Sequence, residues 1–163
     1  MTLQNGLKVV HKTHGVGEII GTESMDFGGV SQEFYRLRIL ATGMEVKFPV
    51  NSSAALIRSL ATEAEIESMK SILGEPAKIY SMVWNRRKKE LTDKLKTGSI
   101  LDAAEVVRDL RNKDDGKELS FGEKEVLEKA TEKLVNEVSA ALSYTAEKSI
   151  ELIDSTALPA SVD

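Results

Sequence analysis

Residues 35–39 read Tyr-Arg-Leu-Arg-Ile, so apolar and basic residues alternate along this stretch. A two-residue period is typical of a β-strand with one face buried and the other in water. The stretch belongs to one of four short runs rich in aliphatic, aromatic and β-branched residues, at 7–10, 17–22, 33–40 and 45–50. Four or five strands in about 55 residues are too few for a large sandwich, and we expect a small, strongly bent β-barrel of the SH3 or Tudor type.

The pattern changes from β to helical near residue 60. Residues 62–65 read Thr-Glu-Ala-Glu and 120–123 read Ser-Phe-Gly-Glu, which are capping boxes, and 99–102 is a near variant. These start signals, together with the breakers between them, predict helices at 63–73, 78–96, 100–112 and 121–143. A further short helix is allowed after residue 143, before a frayed tail. The predicted fold class is α+β, with a β-barrel domain at 1–60 and an all-helical domain at 61–163.

The composition excludes several kinds of function. The 163 residues contain no cysteine, which removes disulfides and thiolate sites and fits a reducing cytoplasm. The two histidines, His11 and His14, have no third ligand nearby in sequence, and we expect no metal. No nucleophile–base–orienter set and no dinucleotide loop is visible, so we expect neither an enzyme nor a cofactor. No apolar run approaches the ~18 residues of a membrane span, and residues 1–10 show no signal-peptide pattern. We expect a cytoplasmic monomer without a membrane partner.

The charge is unevenly distributed. The whole chain carries a formal net charge of −4, which by itself disfavours nucleic-acid binding. Residues 1–60 contain six basic and five acidic residues, whereas residues 78–96 contain seven basic and two acidic residues. A close partner feels such a local patch, because salt screens charges beyond ~8 Å.

The basic island centres on residues 84–89, Trp-Asn-Arg-Arg-Lys-Lys, which include the only tryptophan. Under one interpretation Trp84 anchors the helical core and the cations form a solvated face. Under the other, the four consecutive cations contact phosphates and the flat ring wedges against bases. The residues alone leave both interpretations open.

The β-rich half offers a second candidate surface. Small barrels commonly bind partners through an exposed strand edge. The stretches 36–39 and 44–49 supply basic and apolar faces for such binding. Lys47 alternates with Val46 and Phe48 and should point away from them, as a contact residue or as an ordinary surface lysine.

The sequence resembles the CarD/CdnL family of bacterial RNA-polymerase-binding transcription regulators over nearly its whole length. In the first half the residues that carry the resemblance are 9–10, 14–19, 33–35 with Leu37, and 46–49. In the helical half they are Trp84-Asn85-Arg86-Arg87, Lys96 with Gly98-Ser99, Ala104–Leu110, Leu119–Lys124 and Leu127–Ala130. The motif Ala-Glu-Val-Val-Arg-Asp-Leu, followed at this distance by Leu-Ser-Phe-Gly-Glu-Lys, is quite specific.

The resemblance implies a role for each domain. The first would be a Tudor-like RNA-polymerase-interacting domain, also found in transcription-repair coupling factors, that docks on the β subunit partly by strand pairing. The helical domain would face promoter DNA just upstream of the −10 element, with weak affinity unless polymerase is present. There Trp84 would act as a wedge at the minor groove, with Arg86, Arg87 and Lys89 as phosphate contacts, and the open complex would be stabilised.

The same resemblance extends to the polymerase-facing residues. Lys47 occupies a basic position that the family uses toward polymerase, and Arg36 and Arg38 lie on the neighbouring strand. Met25 stands where some relatives carry a basic residue. Lys88 stands where many members have an aromatic residue, which alters the packing behind Trp84 or adds a phosphate contact.

An alternative function remains open at this point. The chain would then be an adaptor that binds polymerase without touching DNA, with Trp84 as a core residue.

Overall fold

The structure is a computed structural model that describes residues 3–78, 84–112 and 118–156, without the side chains of Trp84 and Asn85. The chain divides into two compact units, Met1–Leu60 and Ala61–Asp163. The first unit is built from strands and the second from helices.

The first unit is one antiparallel sheet. Its strands are β1 (Lys8–His11), β2 (Gly15–Phe27), β3 (Val30–Ile39), β4 (Glu45–Pro49) and β5 (Ile57–Ser59), in the spatial order β4-β3-β2-β1-β5. A 3₁₀ turn (Val50–Ser52) and a short helix, α1 (Ser53–Leu56), connect β4 to β5. The α+β class is confirmed. The sheet is open where a closed barrel was expected, since the described residues show no pairing between the edge strands β4 and β5.

The sheet buries the face that the alternation predicts. Tyr35, Leu37 and Ile39 are at most 2% exposed, and they pack with Val9, Ile19, Phe48 and Ile57. The Tyr35 hydroxyl accepts a hydrogen bond from the Leu3 amide at 3.0 Å, which satisfies its polar end. Arg36 and Arg38 therefore lie on the opposite face of β3.

The predicted bounds of β2 and β3 were too short. The two strands form a long hairpin closed by a two-residue turn at Gly28 and Gly29, where φ is 56° and 86°. Positive φ at both turn residues matches the right-handed twist of the flanking strands and favours glycine there. The strands therefore extend up to this turn.

The second unit contains five helices among the residues described. They are α2 (Glu63–Leu73), α3 (Trp84–Lys96), α4 (Ile100–Arg111), α5 (Phe121–Leu142) and α6 (Ala146–Ser155). The capping boxes at Thr62 and Ser120 are both present, and the Ser99 hydroxyl accepts from the amides of residues 101 and 102. The short helix allowed after residue 143 is α6, which begins after the N-cap Thr145. The frayed tail lies outside the described residues from 157 onward.

The predicted start of α3 at residue 78 was wrong. Lys78 is not helical, because its amide donates to the Asp109 carboxylate at 3.0 Å and so lies against α4. The described part of α3 begins at Trp84, and residues 79–83 lie outside the described residues.

The helices share one apolar core. Leu91 and Leu95 of α3 lie four residues apart and are both buried, which attaches the basic helix to the rest of the unit. The most buried members from the other helices are Met69, Leu73, Ala104, Val106, Val107, Ala130, Leu134, Val138 and Ile153.

Candidate functional site

The cations of α3 fall into two groups according to their partners, apart from Lys96 at its C-terminal end, which is exposed. Arg87 and Lys94 are bound to carboxylates of other helices, whereas Arg86, Lys88 and Lys89 are exposed. No ion pair involves these three exposed residues within 3–78, 84–112 and 118–156. We call Arg86, Lys88 and Lys89 the free basic cluster.

Arg87 joins α3 to the start of α5. Its Nη2 lies 2.8 Å from Oε2 of Glu123, and the two side chains are 19% and 7% exposed. Glu123 also belongs to the capping box at the start of α5, as its third helical residue. The backbone amide of Ser120 donates a hydrogen bond to the Glu123 carboxylate. One buried carboxylate thus caps α5 and binds α3, and a phosphate contact by Arg87 would have to compete with Glu123.

Lys94 joins α3 to α4. Its Nζ lies 2.7 Å from Oε2 of Glu105, and both side chains are about one-quarter exposed (28% and 27%). Apart from Lys96 at its C-terminal end, α3 presents its exposed cations from its first two turns. Trp84 begins the helix next to them, and its side chain is not among those described.

A second charged surface lies on the open face of the sheet. Lys47 Nζ is 2.7 Å from Oε2 of Glu23, and Arg36 forms an ion pair with Glu45. Arg36 and Lys47 are direct partners in the β3–β4 register, so the two ion pairs adjoin. The hydrogen bond from Arg36 is the largest influence on the Glu45 carboxyl and lowers its pKa, while the hydrogen bond to Glu45, and then the charge of Glu45, raise the pKa of Arg36.

The remaining residues predicted to face polymerase share this part of the sheet. Arg38 is exposed and lies opposite Glu18 on β2 and Glu45 on β4. Met25 is half-buried on β2, opposite Gln32, and lies two positions beyond Glu23 on the same strand face. The structure therefore brings all four predicted residues onto the outer face of β2, β3 and β4.

The strand β4 is an edge strand, and only its β3 side is paired among the residues described. Such an edge presents unpaired N–H and C=O groups that another chain can pair with. Lys47, near the middle of β4, is 41% exposed and directed away from the buried Phe48. The edge and the charged face are therefore adjacent.

Sequence reasoning missed two exposed apolar groups. Phe27 and Val30 at the tip of the β2–β3 hairpin are 54% and 68% exposed, and the Phe27 and Phe34 rings lie 6.1 Å apart. Phe121, the first residue of α5, is 79% exposed beside the Glu123 cap. The only signal in the sequence was a large apolar residue next to a turn or cap.

His11 has a structural role in the turn between β1 and β2. Its Nδ1 accepts hydrogen bonds from the amides of Thr13 and His14, at 3.1 and 3.3 Å. Burial, and then the nearby His14, lower the pKa of His11 below its ordinary 6.5. Among the residues described, no group of three His, Cys, Asp or Glu side chains is arranged to hold a metal ion, and none of the helices there is long and apolar enough to cross a membrane.

Comparison with known proteins identifies both halves of the chain. Residues 3–61 match the CarD-like/TRCF RID domain and residues 68–154 match the CarD C-terminal domain. The chain is 34% identical over 153 residues to a Bacillus subtilis (strain 168) protein named as a transcription factor, YdeB, covering 91% of this chain and 97% of that protein.

Two solved structures from Myxococcus xanthus resemble the first unit. CdnLNt is 35% identical and covers 39% of this chain and 90% of its own, with a TM-score of 0.33. The 72-residue N-terminal domain of CarD, solved by NMR, is 22% identical and covers 36% of this chain and 83% of its own, with a TM-score of 0.30. From the two matched domains and the full-length relative, we conclude that the chain belongs to the CarD-like family of RNA-polymerase-associated transcription regulators.

Proposed function

We propose that this protein docks on the β subunit of RNA polymerase through its first unit and stabilises the promoter open complex through α3. Trp84 would be the wedge at the upstream edge of the melted DNA, and the free basic cluster would contact phosphates near it. The protein would act as a cytoplasmic monomer and without catalysis.

The free basic cluster carries the DNA part of the proposal. Internal carboxylates hold Arg87 and Lys94, yet Arg86, Lys88 and Lys89 remain exposed beside the start of the helix. Exposed cations on one helical segment are what sequence-independent phosphate binding requires. Arg87 would contribute less than these three, because a phosphate would have to displace Glu123.

The wedge role follows from the energetics of a melted promoter. Opening DNA unstacks a base step, at a cost of about a few kcal/mol, and a flat ring placed against the exposed base offsets part of that cost. A ring and phosphate contacts read DNA shape more than base edges. We therefore expect Trp84 to stabilise open complexes at many promoters, with little preference for sequence.

Polymerase would supply the affinity that the DNA contacts lack. Residues 61–163 carry 16 basic and 21 acidic residues, so the helical unit as a whole repels DNA at long range. Tethering to a partner raises the effective concentration toward millimolar values, where about three phosphate contacts suffice. Weak binding of free DNA and strong binding on polymerase follow from the same charge distribution.

The outer face of the sheet supports the docking part. The RID match covers all but the first two residues of the first unit, and β4 offers an unpaired edge in the described structure. Lys47 and Arg36 are already paired with Glu23 and Glu45, so a carboxylate on polymerase would exchange partners with them. Such exchanges contribute more to specificity and association rate than to affinity.

The test is the lifetime of the open complex with wild-type protein, Trp84→Ala and Trp84→Phe. We expect Trp84→Ala to shorten the lifetime while binding to polymerase alone stays unchanged, and Trp84→Phe to retain part of the effect because it keeps an aromatic face. An unchanged lifetime in a folded Trp84→Ala protein would instead establish the adaptor that binds polymerase without touching DNA.

A further inference from the structure

The described part of the segment between α2 and α3, residues 74–78, is bound to the C-terminal end of α4. Asn112 Nδ2 donates to the carbonyl oxygens of Leu73 and Glu75, at 3.0 and 2.7 Å. Asp109 Oδ1 accepts from the Lys78 amide at 3.0 Å. Three hydrogen bonds from one helix end thus hold both ends of the segment, which we call the linker.

A buried guanidinium reinforces this attachment. Arg108 is 2% exposed, and its Nε lies 2.9 Å from Asp109 Oδ1. Its Nη1 lies 3.0 Å from Oε2 of Glu75, near the start of the linker. The same Asp109 oxygen therefore receives both the Lys78 amide and the Arg108 guanidinium. Charged groups this deeply buried require partners, and the linker supplies two of them.

Residues 79–83, which lie outside the described residues, connect the linker to Trp84. Six residue steps separate Lys78 from Trp84, and a chain of that length spans at most about 20 Å. Fixing Lys78 on α4 therefore restricts where α3 can begin. From the other side, Arg87 in the first turn of α3 is bound to Glu123 at the start of α5. Attachments from two different helices thus flank Trp84.

We propose that Asp109 and Asn112, supported by Arg108, are positioning residues that hold the linker so that Trp84 is presented at a fixed place. This inference rests on the proposed function of Trp84. An element that must meet the edge of melted DNA gains from being held in place before binding, because less conformational entropy is then lost.

The first experiment measures the linker itself, without DNA or polymerase. Asn112→Ala removes two hydrogen bonds, and we expect amide hydrogen exchange at Lys78 to accelerate about tenfold. The matched control is the neighbouring Arg111→Ala, which breaks an ion pair with Asp154 of α6 and leaves the linker bonds intact. Equal exchange rates at the Lys78 amide in wild type, Asn112→Ala and Arg111→Ala would refute the idea that Asn112 holds the linker on α4.

The second experiment asks whether the attachment acts through Trp84. We expect Asn112→Ala to shorten the open-complex lifetime in the wild-type background and to have no further effect in a Trp84→Ala background. An equal shortening in both backgrounds, or none in either, would overturn the positioning role. Asp109→Ala removes the acceptor of the Lys78 amide and repeats the test at the other end of the linker, and Asn112→Ala suffices if that variant does not fold.

The two proposals fail in different ways. If Trp84→Ala alone leaves the lifetime unchanged, the wedge is refuted and the Lys78 exchange rates still report on the linker. If Trp84→Ala shortens the lifetime and Asn112→Ala does not, despite faster exchange at Lys78, the wedge stands and the positioning role is refuted.

Discussion

The free basic cluster should be visible in the salt dependence of DNA binding. The quantity to measure is the ratio of two affinities, that for the polymerase–promoter complex and that for polymerase alone, because this ratio isolates the DNA contacts. Each phosphate contact adds about −0.9 to the slope of log affinity against log salt. Arg86, Lys88 and Lys89 together predict a slope of about −2.7 for the ratio. Raising salt fourfold should then lower the ratio about 40-fold.

Each single substitution in the free basic cluster should reduce the steepness of this slope by about 0.9. Replacing Lys89 by Ala leaves two contacts and a slope of about −1.8, so the same change in salt lowers the ratio only about 12-fold. The matched control is Lys94→Met, which removes one charge from the same helix at a site already bound to Glu105. We expect Lys94→Met to keep the wild-type slope.

The assay is a titration of fluorescently labelled protein at several salt concentrations, with polymerase alone and with the polymerase–promoter complex. If Lys94→Met and Lys89→Ala change the slope equally, internal pairing does not decide which cations reach DNA. If the ratio has no salt dependence in the wild type, the cluster makes no phosphate contact.

Three further outcomes follow from the ion pairs and the buried histidine. Glu123→Ala should lower the free energy of unfolding of the second unit by about 2–4 kcal/mol, since it removes a helix cap and leaves Arg87 without this carboxylate, as denaturant unfolding would show. Lys47→Glu should weaken binding to polymerase with little change in unfolding, because its pair with Glu23 is exposed and contributes little stability. The first unit should lose stability as pH falls below 6.5. The pKa of His11 is lowered in the folded state, so the unfolded state binds the proton more readily. Thermal unfolding measured at a series of pH values would show the loss.

Each outcome has its own control. Glu105→Ala, at the more exposed pair with Lys94, should cost less than Glu123→Ala, and the reverse order would contradict the argument from burial. Combining Lys47→Glu with Glu23→Lys restores the surface ion pair, and recovered polymerase affinity in that variant would show that Lys47 matters only within the sheet. His11→Gln should remove the loss of stability that begins as pH falls below 6.5, and an unaltered pH profile would exclude His11 as its cause.

The predictions that were confirmed depend on local chemistry. The alternation at 35–39 identified the buried face of β3, because a strand places neighbouring residues on opposite faces. The capping boxes located the starts of α2 and α5, since each box satisfies backbone groups only three residues apart. The start of α3 depends instead on a hydrogen bond between Lys78 and a residue 31 positions later, which no local pattern contains.

The sequence predicted which basic residues belong to the candidate site, but not which of them are paired with carboxylates inside the protein. The sequence shows four consecutive cations at 86–89, and nothing in that run distinguishes Arg87 from its neighbours. The distinction comes from the fold: Arg87 lies four residues before the buried Leu91, on the side of α3 that packs inward, where Glu123 meets it. Once Leu91 is known to be buried, the helical period of α3 implies that Arg87 lies on the same inward side. The identity of the carboxylate depended on how α5 packs against α3.

Internal pairing also changes how the acidity of the helical unit should be understood. Glu105 forms an ion pair with Lys94, and Glu123 forms one with Arg87, so part of the negative charge of the helical unit holds α3 in place. The remaining cations of α3 face solvent, while Leu91 and Leu95 in the second half of the helix pack into the apolar core. A few cations fixed in this way lose little conformational entropy on meeting phosphates, whereas the same number on a mobile tail would lose more. Under the proposed function, the acidic residues would reduce affinity for free DNA, and two of them would also hold the basic helix that meets DNA on polymerase.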